Sequence, residues 1–150
     1  MARTRSCMAA FANDVGTVYA ASMTRFLLVA SGGALGAMAR YALGLAVGRL
    51  APGAAWPWGT FGANLIGGLL MGLLAGWLAL KAGAHQESIR LFAAVGVLGG
   101  FTTFSAFSLE TALMIERREM ATAALYVAAS VVLAVAALFL GLLIARKAFA

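Results

Sequence analysis

Four apolar stretches, each long enough to cross a bilayer, constrain this chain more than any other feature. They cover residues 26–47, 58–80, 89–115 and 121–145. A helix needs roughly 20 apolar residues to traverse the hydrocarbon core. The 150 residues therefore hold four spans and leave no room for a separate soluble domain. Composition points the same way: 63% of the residues are hydrophobic and 11% are charged, where a soluble domain carries about a quarter charged residues. Too little polar surface remains to face water on every side. The expected fold class is an all-α integral membrane protein of four transmembrane helices, with both termini on one side.

The net charge of +6 suits a nucleic-acid binder until the cations are placed. Arg25, Arg49, Lys81, Arg90, Arg117, Arg118, Arg146 and Lys147 fall at or near span ends, where cations anchor helices to headgroups and bias topology. No basic stripe with interleaved aromatics is left for DNA or RNA, so no nucleic-acid partner is expected. Arg25, Lys81, Arg90, Arg146 and Lys147 lie on the side of the termini; Arg49, Arg117 and Arg118 lie opposite, joined by Arg40 if it reaches that way. So weak a bias permits insertion in both orientations. Arg3 and Arg5 would favour termini inside. Residues 1–22 lack the clean apolar core and cleavage site of a signal peptide. They read as an extension, disordered or the product of a start codon taken too early, ahead of Met23-Thr24-Arg25 and a four-helix domain over 23–150. Cys7 is the single cysteine, which excludes an intrachain disulfide, and the single histidine, His85, reads as a solvated loop residue.

Glycines recur every four residues in span 1 (Gly32, Gly36, Gly44, Gly48, with Arg40 at the same spacing) and in span 2 (Gly68, Gly72, Gly76). Small residues so spaced let membrane helices approach closely. An arginine inside a span costs several kcal/mol unless it snorkels, pairs or lines water. Arg40 thus either snorkels or stands in an aqueous vestibule that attracts anions. Asn64 is the polar residue of span 2; its amide serves either as interhelical glue or as a donor to an anion.

Span 3 departs most from an ordinary span. Gly99-Gly100 followed by Thr102-Thr103 makes a poor continuous helix, and a break at membrane depth is tolerated only where protein or a cavity satisfies the backbone. Carbonyls at a break can hold a cation, and half-helix N-termini favour anions. Thr102, Thr103 and Ser105 are candidate caps for the second half. Beyond them Phe104, Phe107, Ser108 and Thr111 share a helical stripe. The rings are either core packing or, through their positive edges, part of an anion path with the hydroxyls. Glu110, the carboxylate inside a span, snorkels or holds a polar network. Tyr126 and Ser130, one turn apart in span 4, bond between helices or add hydroxyls to such a path.

Residues 32–41 (GGALGAMARY), 59–67 (GTFGANLIG) and 99–110 (GGFTTFSAFSLE) together resemble the CrcB-type fluoride channel (Fluc) family, over nearly all of 23–145. The resemblance implies passive fluoride export across the bacterial inner membrane, relieving fluoride toxicity, by an antiparallel (dual-topology) homodimer with two pores. It further implies a structural Na+ at the dimer centre, on backbone carbonyls of Gly99 and Thr102. Phe104 and Phe107 match its pore phenylalanines, Asn64 its pore amide and Arg40 its vestibule arginine. Ser108, Thr111, Glu110, Tyr126 and Ser130 correspond to a polar track. Ala106 departs from the family's usual threonine. A small four-span multidrug-type exporter is the nearest rival, but span 1 carries Arg40 and no acid. A membrane enzyme lacks a catalytic constellation here. A structural assembly protein would explain the glycines and not span 3.

Overall fold

The structure, a computed structural model, describes residues 2–81, 83 and 86–149, with side chains described from residue 22 onward. The side chains of 1–21 and the whole of His85 lie outside the described residues. The readings of 1–22 as an extension and of His85 as a loop residue fall there too. The described chain is helical: α1 (Ala2–Leu50), α2 (Trp58–Leu80), α3 (Gln86–Ile89) running into a π-helical segment (Arg90–Leu98), α4 (Gly99–Phe101), α5 (Phe104–Glu116) and α6 (Met120–Phe149). Four stretches among the described residues are long and apolar enough to cross a membrane: Ser22–Leu50, Trp58–Leu80, Gln86–Glu116 and Met120–Phe149. This is a multi-pass membrane protein, with spans within a few residues of those read from hydropathy.

Two glycine seams hold the helices together. Along the first, α1 lies on the π-helical segment and α4. A Cβ at Gly36 would collide with the Val97 carbonyl, and one at Gly100 would sit 2.5 Å from the Gly33 carbonyl oxygen. Along the second, α2 lies on α6, and a Cβ at Gly72 would strike the Leu138 carbonyl. Between apolar helices in lipid, this backbone-to-backbone approach supplies the dispersion contacts that drive association. The span 1 repeat is not used evenly: Gly32 and Gly36 are buried in the seam, whereas Gly44 and Gly48 have open space beside them.

The π-helical winding was not legible in the sequence. There the N–H of Gly99 reaches back five residues to Ala94 O, widening the turn in the manner that recurs at functional sites. At the far end of span 3, α5 closes with Arg118 at φ 63 and Glu119 N–H donating to Met114 O at 2.9 Å. This is a left-handed cap that reverses the chain into α6.

Candidate functional site

The site is built around Thr102 and Thr103, between α4 and α5 of span 3. The helical winding continues through Gly99 and Gly100 and stops after Phe101. Thr102 (φ −77°, ψ 157°) and Thr103 (φ −151°, ψ 124°) are extended before α5 begins. The departure therefore falls on the threonines and not on the glycines. A helix ended inside a membrane leaves carbonyls and N–H groups that must find partners, and several side chains supply them. Thr102 donates from both its N–H (3.0 Å) and its Oγ1 (2.9 Å) to Leu98 O. Arg40 Nε donates to Gly100 O at 3.3 Å. Asn64 pairs with the backbone of Thr103 at two points: Nδ2 donates to Thr103 O at 3.0 Å and Oδ1 accepts the Thr103 N–H at 2.8 Å. Of the three candidate caps, Thr103 takes the position, its Oγ1 accepting the Ala106 N–H at 3.2 Å.

The Gly99 and Thr102 carbonyls lose their helical donors in this arrangement, the Ala106 N–H going to Thr103 Oγ1. In a continuous helix the Gly99 carbonyl would accept from the Thr103 N–H, which is here taken by Asn64. Gly99 is also exposed on the single chain.

Below the extended pair, Glu110 neither snorkels nor stands alone. Its Oε1 accepts from Thr60 Oγ1 at 2.6 Å and its Oε2 from the Tyr126 hydroxyl at 2.7 Å, so one carboxylate joins α2, α5 and α6. Charge-assisted bonds of this length are the strong ones. Thr60 did not stand out in the sequence. It lies one turn before Asn64, on the same face, and that spacing is the signal that could have found it. Arg40 and Glu110 line one cleft of roughly 330 Å³ together with Tyr41 and Thr60.

The rings and hydroxyls divide. Phe104 is 78% exposed on the single chain, whereas Phe107 is buried with Tyr126, which is fully covered. The Phe104 and Phe107 centroids are 5.6 Å apart, and Phe107 and Tyr126 5.3 Å. Ser108 and Thr111 share the stripe, but their hydroxyls donate to their own helix, at Phe104 O (2.9 Å) and Phe107 O (2.8 Å). Ser130 is buried and its Oγ has no hydrogen-bond partner. Asn64, Thr102, Thr103, Phe104, Phe107 and Ser130 line a cleft of roughly 400 Å³ with an otherwise apolar wall. The structure thus draws Asn64, the extended pair, both phenylalanines and Ser130 around one cavity, and Arg40 and Glu110 around another.

Comparison with known proteins bears on this arrangement. Residues 27–142 match the family described as CrcB-like protein, Camphor Resistance (CrcB). A protein of Caulobacter sp. (strain K31) named fluoride-specific ion channel FluC is 65% identical over 127 residues, covering 85% of this chain and 98% of that protein. Proteins of the same name from Phenylobacterium zucineum (strain HLK1) and Hyphomonas neptunium are 63% and 58% identical, each over 85% of this chain and their own whole length. Matches of this extent include every helix that carries the site, and the chain belongs to the CrcB family.

Proposed function

We propose that this chain forms a fluoride-selective channel of a bacterial cytoplasmic membrane, through which fluoride leaves the cell down its gradient. The observation that carries the ion's identity is the identity to fluoride-specific channels over nearly their whole length. The geometry supports an anion route. Asn64 keeps one Nδ2 hydrogen beyond the one given to Thr103, and it lines the same cleft as Phe104 and Phe107, whose ring edges are positive. Arg40 brings positive charge to the neighbouring cleft, where low-dielectric walls concentrate anions.

The channel is a homodimer in this reading, with subunits inserted antiparallel. Phe104, Ser105, Ser108 and Gly99 are exposed on the single chain at the middle of span 3, where lipid solvates hydroxyls and carbonyls poorly. A second copy covers them, and a two-fold pair is the commonest closed assembly. The near balance of cations on the two sides permits opposite orientations. The break in span 3 then has a use. Its neutral backbone oxygens suit Na+, and the Gly99 carbonyl has given up its helical partner to the Asn64 pairing. Gly99 and Thr102 of each subunit would hold that ion, which would supply a fixed positive charge between the chains.

Fluoride efflux from liposomes, followed with an ion-selective electrode, tests the reading. Purified dimer should release fluoride far faster than chloride and without a proton gradient. Efflux no faster than from empty liposomes would end it.

A further inference from the structure

Two buried side-chain polar atoms among the described residues have no hydrogen-bond partner, Trp56 Nε1 and Ser130 Oγ. Both flank Tyr126. Ser130 follows it by one turn of α6, and the Trp56 ring stands edge-on to it, centroids 5.3 Å apart at 89°. Position beside Pro57 and Trp58 suggests a headgroup anchor for Trp56, but the loop folds it inward against the buried cluster of Phe107, Met114, Ala123 and Tyr126. The aromatic rings consequently run without interruption from exposed Phe104, through Phe107 and Tyr126, to Trp56 at the loop end.

Packing alone leaves the indole N–H unexplained. Phe61 packs an apolar ring against the same cluster, and a buried donor without an acceptor is costly enough that native structures rarely keep one. An indole N–H donates and cannot accept. It therefore has no use for a cation, and an acceptor such as an anion or a water suits it. Of the neighbouring hydroxyls, Tyr126 donates to Glu110 and Ser108 and Thr111 to their own helix, which leaves Ser130 Oγ and the Trp56 N–H as the donors without a partner. We propose that the Trp56 indole N–H is a hydrogen-bond donor to fluoride, or to its accompanying water, at the loop end of the Tyr126 track. Trp56 is then an ion-binding residue of the pore. This rests on the fluoride-channel reading above.

The test uses full-length dimer with nitrogen-15 in its three tryptophans, Trp56, Trp58 and Trp77, the signals being assigned with Trp56→Phe. Added sodium fluoride should shift the Trp56 indole proton saturably, with sodium chloride inert and the other two signals still. In parallel, Trp56 is replaced by benzothienylalanine, which keeps the ring shape and puts sulfur in place of the N–H. Efflux should fall about tenfold, the effect of one lost hydrogen bond to a charged group, with dimer elution unchanged. A Trp56 signal indifferent to fluoride overturns the proposal and assigns the N–H to the face of a neighbouring ring. Wild-type efflux from the benzothienyl protein overturns it equally. If that variant fails to assemble, the titration of the unaltered protein decides alone. Failure of the channel reading itself shows separately, as an unaltered protein that passes no fluoride.

Discussion

The first half of span 3, up to Phe101, is held by backbone against backbone, while the second half, α5, is held by a few side chains. In the first half, Gly32 and Gly36 of α1 meet the π-helical turns so closely that a methyl group has no room. In the second half, Phe107 and Met114 are the buried apolar contacts, and position is set by Asn64 on Thr103 and by Thr60 and Tyr126 on Glu110. Glycine seams confer rigidity without chemistry. Hydrogen-bonded side chains confer chemistry and a held geometry, at the cost of depending on every partner. One span thus combines a fixed scaffold with a polar working surface, divided at Thr102 and Thr103.

That contrast can be broken from either side. Gly36→Val should have the largest effect, because its side chain must enter the Val97 and Phe101 backbone where neither helix can yield. Overpacking of this kind costs about 3 kcal/mol or more, and detergent-purified protein should lose its monodisperse elution altogether. Asn64→Ala should leave the scaffold folded while leaving the Thr103 N–H and carbonyl unpaired. With each orphaned group costing about 1–3 kcal/mol, efflux should drop at least tenfold and the thermal midpoint should fall, without a change of elution on size exclusion. A variant that loses assembly before flux would erase the distinction between the halves. Arg40→Gln sharpens the contrast most gently, since Gln can still donate toward Gly100 but brings no charge. Efflux should fall about threefold at low ionic strength and much less near 0.15 M salt, where the screening length is about 8 Å. Equal loss at both salt concentrations would make the Gly100 contact, and not the charge, the useful part of Arg40.

Much of the scaffold was legible because its causes are local. Span lengths follow from hydropathy, and Trp58–Leu80 came out with the same limits in sequence and structure. Thr103 was one of three caps the sequence allowed; the Asn64 pairing decides among them by drawing the Thr103 backbone out of the helical path. Glu110 was open between snorkelling and networking, and Thr60 and Tyr126 settle that for the network. Periodicity placed Phe104 and Phe107 on one stripe, but periodicity does not say what lies opposite. One ring is buried against Tyr126 and the other is exposed on the single chain. Trp56 shows the same shortfall, since its place beside a loop does not say that its ring packs against Phe61 and Tyr126.

By itself the sequence determined that this chain must sit in lipid, how many times it crosses, and where close helix contact is possible. Those depend on the solvent preference and size of individual residues. Which carbonyls lose their helical partners, which hydroxyl meets Glu110, and which donors stay unpaired around Tyr126 were decided only by the tertiary structure. Each depends on groups from different helices arriving within about 3 Å of one another, a coincidence no single stretch of sequence contains.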